Sequence, residues 1–392
     1  MRVGVDATCW ANDRGYGRFA REIVTAMVTV APEIEFVCFL DAEAAARFEL
    51  HRPNVRAITV ALSAAPSRAA SAAGNRSLPD MFRMTAAVAR EILHCFFSPS
   101  VYTYFPLPPG LPAVITIHDA IAERFPTMTL PSRRARIFWR LKVWLALKQA
   151  RHIVTVSGFA ARDIARIHRL PADRLTIALE APAAAYVSQI SPARTEAMSA
   201  RVGVPAGAPW FTYVGGLNPH KNVPVIVRAH AELAKELGAH APHLVLVGAA
   251  DRDVFHGDQQ AIRDAITSAR TDGLIHWAGF LDDADIAPLH AGAIALLLPS
   301  ECEGFGLPAV EAAACGAPVI ATLESPLPEL LEGGGIFVAP HDQRALLDAM
   351  RQLTLDPGLR SRMGVVAARR ARELTWTGGA ESCIAALRRV VT

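Results

Sequence analysis

The chain has 392 residues, 52% of them apolar and 20% charged, which makes it too apolar for a disordered protein and too long for one ordinary core. The net charge of +3 is shared unevenly: residues 1–185 hold 23 Lys/Arg against 15 Asp/Glu, and the remainder 17 against 22. The basic residues are not interleaved with aromatics in any nucleic-acid-binding module, so two domains that handle small molecules or surfaces, and not nucleic acid, are expected.

Arg2–Asp6 opens the chain as a strand and not as the charged-then-apolar start of a signal peptide. Gly15-Tyr16-Gly17-Arg18-Phe19-Ala20 then matches the letters of the G-x-G-x-x-A dinucleotide fingerprint. In that fingerprint the glycines follow the first strand directly and a later strand ends in an acid for the ribose, whereas here about eight residues intervene and no such acid stands ready. A glycine-rich loop is expected instead, starting a helix and offering Gly15 and Gly17 amides, with Arg18, to donor phosphates or an acceptor. Further strands are expected at Glu35–Leu40, Val55–Val60, Leu93–Phe97, Val114–His118 and His152–Val156. Between them, Ser63 to Pro79, with Arg68 and Arg76, reads as a long surface loop and an acceptor flap.

His118 and Asp119 end their strand at the carboxyl edge, where α/β sheets place active sites. A histidine there can donate to a sugar hydroxyl or to developing charge, or can be a satisfied structural residue. Ser132 to Arg151 sets seven basic residues among Phe138, Trp139, Leu141, Trp144 and Leu145. Such a helix either packs its aromatic stripe on the N-terminal sheet with its arginines in water or lies on an anionic membrane.

Prolines 182, 192, 205 and 209 interrupt the stretch from Leu179 to Pro209, where only a helix around Ala193–Arg201 is periodic, and the domain break is expected there. The second half repeats the alternation, with strands at Phe211–Val214, Leu244–Val247, Ile275–Trp277, Ile294–Leu298, Val319–Ala321 and Ile336–Val338. Both halves therefore read as doubly wound parallel sheets, α/β in class, with ligands in a cleft at the carboxyl ends of the strands. After Phe211–Val214 comes Gly215-Gly216-Leu217-Asn218-Pro219-His220-Lys221-Asn222, a glycine turn with a cation suited to neutralise a diphosphate and an Asn222 placed to cap the next helix.

The most informative stretch is Glu303-Gly304-Phe305-Gly306-Leu307-Pro308-Ala309-Val310-Glu311. Pro308 suits the first helical position, Gly304 and Gly306 let a ligand approach the backbone, and the free amides of the opening turn face an anion. Glu311 on the helix is within reach of a ribose diol, and Glu303 stands before it on the loop. Metal chemistry finds little support: Asp251-Arg252-Asp253 follows a strand without a partner histidine, and Asp282-Asp283-Ala284-Asp285 reads as a helix start. Ser157-Gly158 lacks the glycines of a nucleophile elbow, and the six cysteines are scattered with neither zinc nor disulfide spacing, so they are expected to be reduced and mostly buried. No apolar run reaches bilayer length, and the expected location is the cytosol.

Together these residues resemble the retaining, GT-B-fold glycosyltransferases of family 4, over nearly the whole chain. The E-x7-E element of that family is similar to Glu303–Glu311, its glycine-turn lysine to Lys221 and its strand-end histidine to His118. Pro299-Ser300, Ala312 to Val319, Ser325-Pro326-Leu327-Pro328-Glu329 and Thr375-Trp376 also match. The resemblance implies two Rossmann-like domains, residues 1–185 for the acceptor and 186–374 for the donor, with a last helix, 375–392, crossing back. It implies Lys221 on the donor pyrophosphate, Glu311 on the ribose, Glu303 on the sugar ring, His118 at the reacting face, and Phe280 and Leu281 beside the base. It also implies no metal and no cofactor beyond the nucleotide sugar.

Two departures stand out. Many members carry arginine where Gly216 stands, which leaves His220 or Arg18 as cationic helpers to Lys221, and many have Asn-Gly where this chain has Glu180-Ala181-Pro182. Both are similar to a branch rich in mannosyltransferases of polysaccharide assembly, which implies GDP-mannose as donor, with a glycan, lipid-linked or small-molecule acceptor. A nucleotide-sugar epimerase of the same architecture, a non-catalytic nucleotide-sugar-binding protein and an NAD-dependent oxidoreductase are the alternatives.

Overall fold

Short β-branched runs bounded by glycine and proline form buried parallel strands here, as the sequence pattern requires. The computed structural model describes residues 1–66, 77–130, 132–248, 259–269, 271 and 273–391. Arg68 and Arg76 of the expected flap, and Asp251 and Asp253, lie outside the described residues.

The chain divides into two compact units, one made of Met1–Glu180 with Thr375–Thr392, the other of Ala181–Leu374. In the first unit, strands β1 (Arg2–Asp6), β2 (Glu35–Leu40), β3 (Val55–Thr59), β4 (Cys95–Ser98), β5 (Ala113–Thr116), β6 (Ala150–Thr155) and β7 (Leu175–Ile177) form a sheet in the order β3-β2-β1-β4-β5-β6-β7. All its ladders are parallel, with Val3 opposite both Phe36 and Cys95. In the second unit, β8 (Trp210–Val214), β9 (His243–Val247), β10 (Ile275–Gly279), β11 (Leu296–Leu298), β12 (Val319–Thr322) and β13 (Gly335–Val338) run in the order β10-β9-β8-β11-β12-β13, again parallel. In each sheet the order reverses beside the first strand, and such a switch point opens a crevice at the carboxyl edge.

The expected strands are all present, with ends moved by one or two residues at most for most of them. β7 is an addition: three partly exposed residues at a sheet edge carry too little pattern to be read alone. The expected strand Val114–His118 stops earlier, at Thr116, which leaves His118 beyond the ladder on the carboxyl edge.

Five helices carry or flank the functional elements: α1 (Gly15–Val30), α2 (Arg133–Gln149), α3 (Val223–Leu237), α4 (Leu307–Ala314) and α5 (Trp376–Val391). α5 belongs to the first unit, where it packs on α1 and the sheet. Gly379 makes that packing possible, because a Cβ there would lie 2.5 Å from the Leu179 carbonyl oxygen. Phe19 of α1 meets Trp376 of α5 edge-on, with ring centroids 6.3 Å apart.

Candidate active site

In the second unit the carboxyl ends of β8, β9 and β11 carry the motifs. Gly215 follows β8 and donates its N–H to Val247 O at 3.0 Å. The turn after β9 presses on it so closely that a Cβ on Gly248 would stand 2.3 Å from the Gly215 carbonyl oxygen. A one-turn 3-10 helix, Pro219–Lys221, then leads to Asn222, which takes a left-handed conformation (φ 56°) at the start of α3. The sequence expectation for Asn222 is corrected here: its side chain does not cap α3 but donates to Pro299 O at 3.0 Å and to Glu301 Oε1 at 3.1 Å.

That bond draws the lysine turn onto the loop after β11. Glu301 N donates to His220 O at 2.8 Å, so backbone and side chain both tie the two loops. Lys221 Nζ then lies 2.7 Å from Glu303 Oε1, and Ser300 Oγ donates to the same oxygen at 2.6 Å. Glu303 is further fixed by its N–H, which donates to Glu324 O at 3.0 Å from the loop after β12. An amine, a carboxylate and a hydroxyl are thus held together at the carboxyl edge, with the Glu303 side chain only 8% exposed.

Gly306 ends the loop with φ 85°, and a Cβ on it would come within 2.8 Å of Leu327, so conformation and space both demand glycine. Phe305 and Leu307 are buried on either side of Gly306. α4 begins at once, and Glu311 is buried within it. At the end of β10, Gly279 turns the chain with φ 69°; Phe280 is 60% exposed while Leu281 is buried.

His220 is half-buried, and its pKa is pushed down to about 3, first by desolvation of the ring and then by Lys221. It is therefore neutral near pH 7, and it does not serve as the cationic helper that the sequence suggested. The positive charge in this cluster rests on Lys221.

Two further residues join the cluster that sequence reasoning did not single out. The carboxylate of Glu301, buried, is met by the His341 imidazole from the loop after β13. His341 holds φ 64°, a conformation uncommon for a non-glycine residue. Glu301 was visible as a third acid beside Glu303; His341 is 40 residues further on and no local pattern marks it.

In the first unit, Gly17 at the start of α1 is required by contact, since a Cβ would lie 2.1 Å from Asn12 O. Gly15 opens α1, Arg18 stands in its first turn, and Tyr16 stacks on Tyr102 with centroids 5.0 Å apart. His118 is buried against the edge of the Phe19 ring, 4.8 Å between centroids. Its Nε2 lies 3.1 Å from Pro99 O, and because a carbonyl only accepts, that nitrogen carries the proton. Burial pushes its pKa down to about 4 despite the Pro99 bond, so the ring is neutral near pH 7. Its Nδ1, 3.8 Å from Glu180 Oε1, makes no ion pair and is left as an acceptor. The sequence expectation of a donating imidazole is reversed: in this tautomer His118 can take a hydrogen bond from a hydroxyl.

Of the acids weighed as metal ligands, the three that are described, Asp282, Asp283 and Asp285, are otherwise engaged. Asp282 caps a helix by accepting from Asp285 N at 2.9 Å, Asp283 accepts from Tyr186 Oη at 2.8 Å, and Asp285 pairs with Arg201 at 2.9 Å. Ser157 caps a helix through Ala160 N at 3.0 Å. The six cysteines are free, and all but Cys315 are fully buried.

This arrangement is that of a GT-B glycosyltransferase, and comparison with known proteins bears it out. The family model "Glycosyltransferase Family 4" matches residues 14–178, and "Glycosyl transferases group 1" matches residues 195–370. The chain belongs to this family of glycosyltransferases. It is similar to "O-antigen chain mannosyltransferase B" of Escherichia coli, 28% identical over 67% of this chain and 67% of that protein. It is also similar to "D-inositol 3-phosphate glycosyltransferase" of Kineococcus radiotolerans, 34% identical over 54% of this chain and 51% of that protein. The match thus spans about half the length of the latter relative. Among solved structures, sucrose-phosphate synthase of Thermosynechococcus elongatus superimposes with TM-score 0.76 at 19% identity, covering 99% of this chain and 98% of that one. Anabaena Alr3699/HepE in complex with UDP and glucose does so with TM-score 0.74 at 17% identity, covering 99% of both. These likenesses establish the fold.

Proposed function

We propose that this glycosyltransferase moves a hexose from a nucleotide sugar to a hydroxyl of a glycan, glycolipid or small molecule, with retention of anomeric configuration and without a metal. The observation that carries the reading is the Lys221–Glu303 pair, held by Ser300 and placed just before the first turn of α4. Lys221 and the positive end of the α4 dipole supply the positive potential that a departing diphosphate needs. With donor bound, Lys221 turns to the diphosphate, which frees Glu303 to accept from hydroxyls of the sugar ring. Glu311 receives the ribose diol, and Phe280 and Leu281 flank the base. In the first unit, His118 contacts substrate by accepting a hydrogen bond from a hydroxyl, without taking its proton, and the Gly15–Arg18 turn serves phosphate or acceptor.

The anomeric C–O bond to the diphosphate breaks, a C–O bond to the acceptor forms on the same face, and the acceptor's proton passes to the leaving phosphate oxygen. GDP-mannose is the favoured donor, on the strength of the mannosyltransferase relative and the two departures from the commoner family pattern. A UDP-sugar is the competing donor, supported by the UDP and glucose in the Anabaena structure.

The test is a turnover assay with GDP-mannose and UDP-glucose against lipid-linked and soluble sugar acceptors, with and without EDTA, the product's anomeric configuration being read by NMR. Transfer with retention, indifferent to EDTA, is expected. Conversion of the donor to an epimer without acceptor would replace this reading with that of an epimerase.

A further inference from the structure

Helix α2 has two faces that behave differently. Its inner face is locked into the first unit: Trp139, Val143 and Ala146 are buried. Trp139 Nε1 donates to Glu123 Oε1 at 2.8 Å, and Lys142 Nζ reaches Tyr102 O at 3.3 Å while lying 4.4 Å from the centre of the Trp139 ring. The outer face is apolar as well. Ile137 is 68% exposed, Leu141 51% and Trp144 54%, at a spacing that stacks them along one stripe, and Phe138 beside them is 38% exposed.

Single exposed apolar residues are ordinary, but three large ones on one stripe with a fourth beside it are not. They are bordered by the exposed Arg133, Arg134, Arg140 and Lys148, and no Asp or Glu occurs anywhere from Arg133 to Gln149. None of these four cations is paired with an acid among the described residues. A helix held rigid by one face, with Trp, Ile, Leu and Phe mixed with unopposed cations on the other, has the composition of an element lying in the plane of a lipid headgroup layer.

We propose that the outer face of α2 docks this enzyme on an anionic phospholipid surface, with Ile137, Leu141 and Trp144 entering the headgroup layer and the four cations meeting lipid phosphates. Charge complementarity selects lipid over an uncharged partner, because every charge on the helix has one sign. The inference concerns where the enzyme works and stands whichever donor it uses.

The protein should be floated with vesicles of phosphatidylcholine alone and of phosphatidylcholine with phosphatidylglycerol, at low and high salt. Flotation is expected with the anionic vesicles only, weakening as salt rises. Two variants, I137S/L141S/W144S and R133E/R134E/R140E, should each lose roughly tenfold or more in partitioning. Their unfolding temperatures should remain those of the wild type, because the altered side chains are exposed. The proposal is overturned if the wild type does not float with anionic vesicles, or if both variants float as well as it does. It is equally overturned if the wild type is a dimer that the serine variant converts to monomer, since the face would then be a contact between copies.

Discussion

Lys221 Nζ and Glu303 Oε1 are 2.7 Å apart although 82 residues separate them in sequence. They meet because β8 and β11 are neighbours in the sheet, so the two loops leave its carboxyl edge side by side, and Asn222 and Glu301 stitch those loops together. Two charges held this way in a largely buried setting are costly unless their separation serves something, and exchange of Glu303 for a diphosphate is such a service.

Replacing Lys221 by alanine removes the charge proposed to meet the diphosphate. A charged hydrogen bond contributes about 1.5–3 kcal/mol, so donor affinity should fall about ten- to a hundredfold. Turnover should fall with it, because the charge on the leaving group grows in the transition state. Calorimetric titration with the nucleoside diphosphate checks the first effect, and unchanged affinity would remove Lys221 from the phosphate site.

Glu303→Gln keeps the shape and the Ser300 bond but loses the charge. Nucleoside diphosphate binding should be unchanged or stronger, since the competing carboxylate for Lys221 is gone, while transfer of sugar should drop at least tenfold. Loss of diphosphate binding in this variant would show that Glu303 positions the lysine and does not contact sugar.

Glu311→Ala should mainly raise the donor KM, by roughly ten- to a hundredfold if one charged hydrogen bond to the ribose is lost. A 2′,3′-dideoxyribose donor should bind the wild type and this variant equally. A variant that still distinguishes the two donors would place the ribose elsewhere.

Gly306→Ala should cost about 1–3 kcal/mol of stability from the left-handed backbone alone, with the Leu327 overlap added. Denaturant unfolding measures this. Leu327→Ala in the same background should relieve the overlap part only, and additive costs in the double variant would contradict the contact.

Acid should weaken the fold through its buried and half-buried histidines. Burial holds His118 and His230 at about 4 and His220 and His290 at about 3, against an ordinary 6.5. The unfolded chain takes up protons near 6.5 while the folded one refuses them until pH 4 or below, so this stabilisation is full above 6.5 and declines as pH falls through that window. Each such histidine accounts for about 1.4 kcal/mol per pH unit once titrating. Urea midpoints at pH 7.5, 6 and 5 should fall in order, and His290→Asn, which keeps a partner for Thr212, should shallow the decline; a flat profile would contradict it.

The strands and the two-sheet class were legible because each strand is a buried run of four to six β-branched or aromatic residues in most cases, and such runs carry their own signal. β7, short and half exposed, carries none. Glu303, Lys221 and the glycines were legible through local chemistry: a left-handed turn needs glycine, and a helix start with acids nearby has few other uses. What sequence could not supply was direction. Asn222 stands where a cap belongs, yet its amide turns to Glu301; His118 was placed at the right edge, yet the Pro99 carbonyl fixes its tautomer. His341 became part of the cluster only through the position of β13 at the sheet edge. Helix α2 was readable as a helix of mixed basic and aromatic residues, but that Trp139 packs inward while Phe138 and Trp144 stay exposed depended on the sheet beneath it.

The central claim is that the Lys221–Glu303 loops form a nucleotide-sugar site. Thermal-shift titration of the wild type and Lys221→Ala with GDP-, UDP-, ADP- and dTDP-sugars and their free diphosphates tests it most directly. Stabilisation of the wild type by one base family, with GDP favoured, and a shift lost or greatly reduced in the variant is the predicted result. No shift with any donor in folded wild-type protein, or equal shifts in both proteins, would contradict the account.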